Sequence, residues 1–363
     1  MSRILCRLIL WGVLFGSAWG GLASAAFYPA PQGDVHHLTI LSATDEVWMR
    51  ALILDFQQLY PDVAVEYRDM ESLPLFNAFL RDYQNGVTAD LVISSAMDLQ
   101  VKLVNDGYAA THDSQALGWL PDWASWRGQA FAFTAEPAVM VYNNRLLLPE
   151  QAPRDRFELL SLLRAEGGRF QHKVGTYDVY LSGLGYLFAS QDAQQASTWG
   201  RLSETLSRVQ ARLYGNTSGM LQALVKGELL ISYNVLGSYA QSWVDQHPEL
   251  SIVLPSDYTL LMSRVAFVSK RAANPEAGHR FLEHLLSLRG QGLLARESRL
   301  YPIHPEVQGA HSYAGIQALA QGKVPLKLIE LGPALLTYQD RLKKARFLRD
   351  WANLMQPISS IRE

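Results

Sequence analysis

The sequence predicts an α/β protein built as two lobes, each a mainly parallel sheet flanked by helices. Three observations carry that prediction. The chain has 363 residues, a length suited to two ordinary domains. Short apolar runs alternate with longer stretches of helical periodicity, the order that makes a parallel sheet covered on both faces. That alternation runs from about residue 38 to residue 105 and resumes after a loop around Pro121–Arg127.

Leu38–Ser42 reads as a buried strand. Thr44 and Asp45 follow it as capping residues of a helix that carries Trp48, Leu52, Phe56 and Leu59 on one face and stops at Pro61-Asp62. Val63, Val65 and Tyr67 alternate as a strand, and Leu73, Phe76, Leu80 and Tyr83 mark a second helix, broken at Asn85-Gly86. Asp90–Ser94 is a third strand, with a helix from Met97 to Asn105. In the second unit, Ala138–Tyr142, Val174–Val179 and Leu229–Asn234 read as strands. The helices there are Arg156–Glu166, one opened by Ser182-Gly183-Leu184-Gly185, Ser197–Val209, Thr217–Val225 and Ser238–Asp245. Arg264–Lys270 gives one more strand, and Asn274-Pro275 opens a strong helix. The stretch from Leu326 to Met355 reads as helix broken at Pro333, and residues 26–36 as a loose lead.

Charge and composition narrow the function. With 32 Lys+Arg against 34 Asp+Glu, a formal charge of −2 and 48% hydrophobic residues, the chain has no basic footprint for nucleic acid and does not have the composition of a disordered chain. Arg3 and Arg7 precede an apolar run from Leu8 to about Ala18, and Ala23-Ser24-Ala25 supplies an A-x-A site. Residues 1–25 therefore read as a secretory signal peptide, too short and too interrupted by glycine to span a bilayer. The single cysteine, Cys6, lies inside this leader, which leaves a mature chain without disulfides or a thiol nucleophile. The expectation is a soluble, monomeric protein of the bacterial periplasm.

Catalytic signatures are missing. The sequence has no G-x-S-x-G elbow, no P-loop and no H-E-x-x-H. His279 and His284 are five apart on one helix, off a shared ligating face. Trp119, Trp123 and Trp126 cluster, a pattern that serves packing more often than sugar stacking. Neither an enzyme nor a cofactor is expected.

The run from Val265 to Ala295, with Asn274-Pro275-Glu276-Ala277, Ser287 and Gly290-Gln291, resembles a segment of class II periplasmic solute-binding proteins. Glu136–Asn144, Asp90–Ser95 and Lys226–Asn234 followed by Gly237-Ser238-Tyr239 fit the same outline in the same order. The branch it most resembles is the one named for ferric iron, which also includes binders of phosphorylated and carboxylated solutes. This resemblance implies two lobes joined by a two-strand hinge, about 36–134 plus 262–363 for the first and 135–261 for the second. It also implies a ligand in the cleft between them, delivered to the permease of an ABC importer. Some relatives instead present the liganded form to a membrane sensor kinase.

In such a fold ligands sit where strand ends meet helix N-termini, because exposed amides there favour anions. Ser42 and Thr44 lie at the first such junction and Ser94 and Ser95 at the third, offering hydroxyls that serve equally as helix caps. Thr176, Tyr177 and Ser182 follow the strand beginning at Val174; Tyr233, Asn234 and Ser238 follow the LLISYN strand. Arg264, just before the returning strand, is the best-placed cation for a carboxylate or phosphate. Iron-binding relatives use adjacent tyrosines in the region of Tyr233. Here Asn234 follows and the next tyrosine is Tyr239, which counts against direct ferric coordination. The expected ligand is a small anionic solute, phosphorylated or carboxylated, with ferric iron as the alternative.

Overall fold

The computed structural model describes residues 24–195 and 198–355. Two seven-stranded sheets organise the chain. The first runs Ser24–Tyr28, Val63–Asp69, His36–Ser42, Leu91–Ser94, Val265–Val268, Ala130–Ala132, Ser125–Trp126. His36–Ser42 pairs parallel with both of its neighbours, as a βαβ order requires, whereas the returning Val265–Val268 pairs antiparallel. The second sheet runs Leu326–Leu328, Thr259–Met262, Glu136–Asn143, Ile231–Leu236, Val174–Tyr177, Arg212–Tyr214, with Leu250–Val253 also on Glu136–Asn143.

Burial explains the strands. Val63, Ala64, Val65, Leu91, Val92 and Ile93 are all shielded from solvent, so these segments read as continuous apolar runs because helices cover both faces. On the helix Glu46–Leu59 the buried face is Met49, Leu52, Ile53 and Phe56, and Phe56 meets Phe281 of the helix Pro275–Leu286 edge-on at 5.0 Å. Each such side chain contributes roughly 1.5–3 kcal/mol by leaving water.

Several expectations are corrected. On the helix Ser72–Gln84 the buried side is Leu75, Ala78 and Phe79. Phe76, Leu80 and Tyr83 flank it, half-buried, because this helix is apolar around more than one stripe. The segment expected as a loose lead holds a strand, Ser24–Tyr28, paired antiparallel along Val63–Asp69. An open sheet edge, rather than any local signal, makes it a strand. Ser24 and Ala25 of the expected leader pair with Asp69 and Arg68; residues 1–23 lie outside the described residues. Leu326–Leu328, expected to be helical, pairs parallel with Thr259–Met262. The helix Arg341–Met355 beyond it stacks Trp351 on Trp199 at 5.9 Å, so within 262–363 the chain visits both sheets.

Two short crossovers join the sheets. Residues 133–135 link Ala130–Ala132 to Glu136–Asn143, and residues 263–264 link Thr259–Met262 to Val265–Val268. They are stitched together: the Phe133 amide donates to the Arg264 carbonyl at 3.1 Å, and the Arg264 amide to Thr134 Oγ1 at 2.8 Å.

Candidate functional site

Six strand-to-helix junctions, three from each sheet, converge on one cavity of about 370 Å³. Every lining residue but one comes from them. In the first sheet, His36–Ser42, Val63–Asp69 and Leu91–Ser94 each lead into a helix, and their junctions contribute Asp45, Asp69, Glu71, Ser72 and Ser95 among others. In the second, Val174–Tyr177, Arg212–Tyr214 and Ile231–Leu236 lead into the helices Gly183–Gln195, Thr217–Val225 and Gly237–Gln246. They contribute Tyr177, Ser182, Asn216, Thr217, Ser218 and Tyr239. The exception is Arg264, on the crossover. The first turn of every helix has backbone N–H groups without intrahelical partners, so this convergence gives the cavity a built-in supply of donors.

The expected residues divide into three groups. Ser95, Tyr177, Ser182 and Arg264 line the cavity. Ser42, Thr44 and Ser94 lie one layer behind it. Ser42 Oγ accepts from the Thr44 amide at 3.0 Å and Ser94 Oγ from the Ala96 amide at 3.2 Å, so both hydroxyls close the turns that shape the cavity wall. Thr44 Oγ1 accepts from Arg264 Nη1 at 2.6 Å.

Thr176, Tyr233, Asn234 and Ser238 do not reach the cavity. The strand expected to end at Asn234 runs on to Leu236, which moves its junction two residues along. A bulge between Ser232 and Val235, with Asn234 at φ 59°, turns Tyr233 and Asn234 into the lobe instead. There Asp192 accepts from Tyr233, Asn234 and Tyr258 at 2.7 Å each. Arg156, 1% exposed, donates to Tyr233 Oη at 2.6 Å and to Asp257 at 2.9 Å. Thr176 Oγ1 lies 3.5 Å from the Tyr233 carbonyl, within the same layer. Ser238 donates to the buried Glu136 carboxylate.

Arg264 is 1% exposed and already paired. Its Nε donates to Glu136 Oε1 at 2.8 Å and its Nη2 to Oε2 at 3.3 Å. Burial alone would lower its pKa, but Glu136 and Tyr239 beside it hold it above its ordinary value, so the guanidinium is charged and balanced. Burial also raises the hydroxyls of Tyr177 and Tyr239, which therefore remain protonated and able to donate.

The sequence reading passed over the second junction, Asp69 to Ser72, and gave Asp45 only a helix-capping role. The signal was there in both cases: a strand end followed at once by an apolar helical stripe. Asp69 Oδ2 accepts from the Glu46 amide at 2.8 Å, and Glu71 Oε1 from Asn216 Nδ2 at 2.9 Å. The Glu71 carboxyl is held above its ordinary pKa by desolvation, with Asp45 and Asp69 adding to the rise. Ser72 Oγ accepts from the Leu184 amide at 3.2 Å, a second bond across the cleft.

The comparisons with known proteins agree with this geometry. The family model described as "Bacterial extracellular solute-binding protein" matches residues 38–297. The crystal structure of the substrate-binding protein of an ABC transporter from Agrobacterium tumefaciens is 36% identical, with a TM-score of 0.87 over 92% of this chain and 99% of that one. The periplasmic binding protein AfuA from Actinobacillus pleuropneumoniae, with fructose-6-phosphate bound, is 16% identical (TM-score 0.73, 89% and 99% covered). Iron-bound HitA from Pseudomonas aeruginosa is 17% identical (TM-score 0.70, 87% and 99% covered); these two show a shared fold alone. No curated protein sequence matches. A matched family model over most of its length, and a relative of 36% identity along nearly all of it, establish that this chain belongs to the bacterial extracellular solute-binding proteins, the substrate-binding components of ABC transporters.

Proposed function

We propose that this protein is carried into the periplasm by its N-terminal leader, captures a small solute bearing an oxyanion, and passes it to the permease of an ABC importer. The observation that carries this reading is the cavity itself, ringed by six helix N-termini from two sheets joined through two short crossovers. Amide donors and the Ser182 and Thr217 hydroxyls replace water around the anionic end, which a buried charge requires. The crossovers at 133–135 and 263–264 act as the hinge about which the lobes close. The role is capture and release by a monomer, not catalysis. Among the described residues no helix is long and apolar enough to cross a membrane.

The ferric alternative would use Tyr233 as a phenolate ligand. Its hydroxyl instead lies between Asp192 and Arg156, outside the cleft, which removes the main support for that reading. A transporter rather than a sensor kinase is the proposed membrane partner, in keeping with the 36%-identical relative named for one.

Thermal melting against a library of carboxylates and phosphate esters tests the proposal. A ligand at about a hundred times its Kd adds about 2.7 kcal/mol and raises the melting temperature accordingly. The absence of any shift across the library would count against it.

A further inference from the structure

We infer that Gly183 is the seat on which the two lobes close: the bare backbone there lets them meet through protein contacts alone, and a side chain in its place props the cleft open. This deepens the receptor reading above and rests on its two moving lobes.

Gly183 opens the helix Gly183–Gln195 of the second lobe. A Cβ at this position would lie 2.9 Å from Ser72 Oγ, 3.1 Å from Ala96 Cβ and 3.1 Å from Leu99 Cδ1, all three in the first lobe. Among the described glycines it alone has its missing Cβ met only by the opposite lobe; Gly185, two residues on, is packed against Tyr177 of its own lobe. Nothing local calls for glycine at 183. Its backbone is not left-handed, the conformation that favours glycine, and alanine is the better helix former. Close approach of the first lobe is what the missing side chain serves.

The three neighbours have little room to give. Ala96 is the N-cap of the helix Met97–Asn105; Ser94 Oγ holds its amide at 3.2 Å, and its carbonyl accepts from the Leu99 and Gln100 amides at 3.1 Å each. Ser72 Oγ accepts from the Leu184 amide at 3.2 Å, so turning it aside breaks a bond across the cleft. Leu99 is buried. Parting the lobes relieves all three contacts at once, and it also stretches the bond from Asn216 to Glu71. These bonds join protein to protein, so they favour the closed form whether or not a solute is present.

The position of Gly183 also explains what the closure seals. Ser182 and Leu184 line the solute cavity, whereas Gly183 lines an apolar cavity of about 130 Å³ with Leu73 and Leu99 of one lobe and Val179 and Tyr186 of the other. The backbone at 182–184 is a partition between the two. Tight contact along it keeps water from the anion's donors, and polar contacts strengthen as the site dries.

Spin labels on the full mature chain test this, on cysteines introduced at exposed Val87 and Leu148, one on each lobe; Cys6, in the leader, is the only native cysteine. Without solute, the wild-type chain should show a population at the label separation of the structure. Gly183→Ala should raise the ratio of open to closed separations about twofold or more and Gly183→Val about tenfold, as the loss of one or two hydrogen bonds implies. The urea midpoint of Gly183→Ala should not fall, since alanine suits the helix. Gly183→Ala/Ala96→Gly, which moves the methyl group to the other side of the cleft, should recover most of the shift. Gly200→Ala, at a helix position with nothing within 4 Å, should leave the separations alone. If Gly183→Val does not fold, the alanine variant and its rescue decide. Separations that neither Gly183 variant changes, opening that Ala96→Gly does not relieve, or a wild-type chain with no closed population would each overturn the inference. A hit in the melting screen leaves the receptor reading standing in all three cases, and a Gly183-dependent closure without any hit would fell that reading alone.

Discussion

Asn216 joins the two walls of the cleft to one another. Its Nδ2 donates to Glu71 Oε1 at 2.9 Å, while its Oδ1 accepts from the Gly219 amide at 2.8 Å and caps the helix Thr217–Val225. One side chain thus both builds a helix end on the second lobe and holds the first lobe against it.

Asn216→Asp separates these duties. Aspartate caps as well as asparagine does, so stability should stay within about 1 kcal/mol of the parent. The new carboxylate opposes Glu71, and the cleft should favour the open form. Small-angle scattering should then report a larger radius of gyration for the unliganded variant. An unchanged radius would show that the contact does not hold the lobes together.

Arg264 and Glu136 form a buried pair where the chain crosses between the sheets. Arg264→Met leaves the Glu136 carboxylate buried without its cation and should cost about 3–5 kcal/mol in urea unfolding. The double variant Arg264→Met/Glu136→Gln should recover more than half of that loss. If the two single costs simply add, the pair is not coupled as its geometry indicates.

Tyr233 belongs to the packing of the second lobe. Tyr233→Phe removes a bond from Arg156 and one to Asp192 and should destabilise by about 1–3 kcal/mol. Affinity for whichever solute the melting screen identifies should change by less than about twofold. A large loss of affinity in calorimetry, with the lobes still folded, would return Tyr233 to the binding site.

Asp98 sets a pH dependence. It is 1% exposed, its Oδ2 accepts from Gln339 Nε2 at 2.5 Å, and its Oδ1 has no partner among the described residues. Desolvation raises its pKa to about 6, against the Gln339 bond and nearby Lys344, which lower it. The fold therefore prefers the neutral acid. Its stabilising contribution is complete below the unfolded pKa of about 4 and disappears as pH rises through about 6. Asp98→Asn should raise stability at about pH 7.5 by an amount on the order of 1–3 kcal/mol and do little near pH 4. A melting temperature that rises equally at both pH values would contradict this account.

The alternation of strand and helix was legible in the amino-acid sequence, because apolar periodicity and capping residues act over a few positions. Met97–Asn105 spans the residues read for it, and the helix expected to be capped by Thr217-Ser218 ends at Val225 as read, with Asn216 as its cap. The sequence also marked Ser95, Tyr177 and Ser182, since a strand end beside a helix start is a local pattern, and Arg264 from its place just before the returning strand. Tertiary structure decided what no local pattern carries. Ser24–Tyr28 and Leu326–Leu328 are strands because sheet edges far along the chain were open to them. A single bulge took Tyr233 and Asn234 out of the cleft. Glu136, 128 residues from Arg264, neutralised the cation expected to meet the ligand, and Asp45, Asp69 and Glu71 became one wall only when their three loops met. Charge balance in a cavity is a sum over parts of the chain that are distant in sequence, and folding is what brings them together.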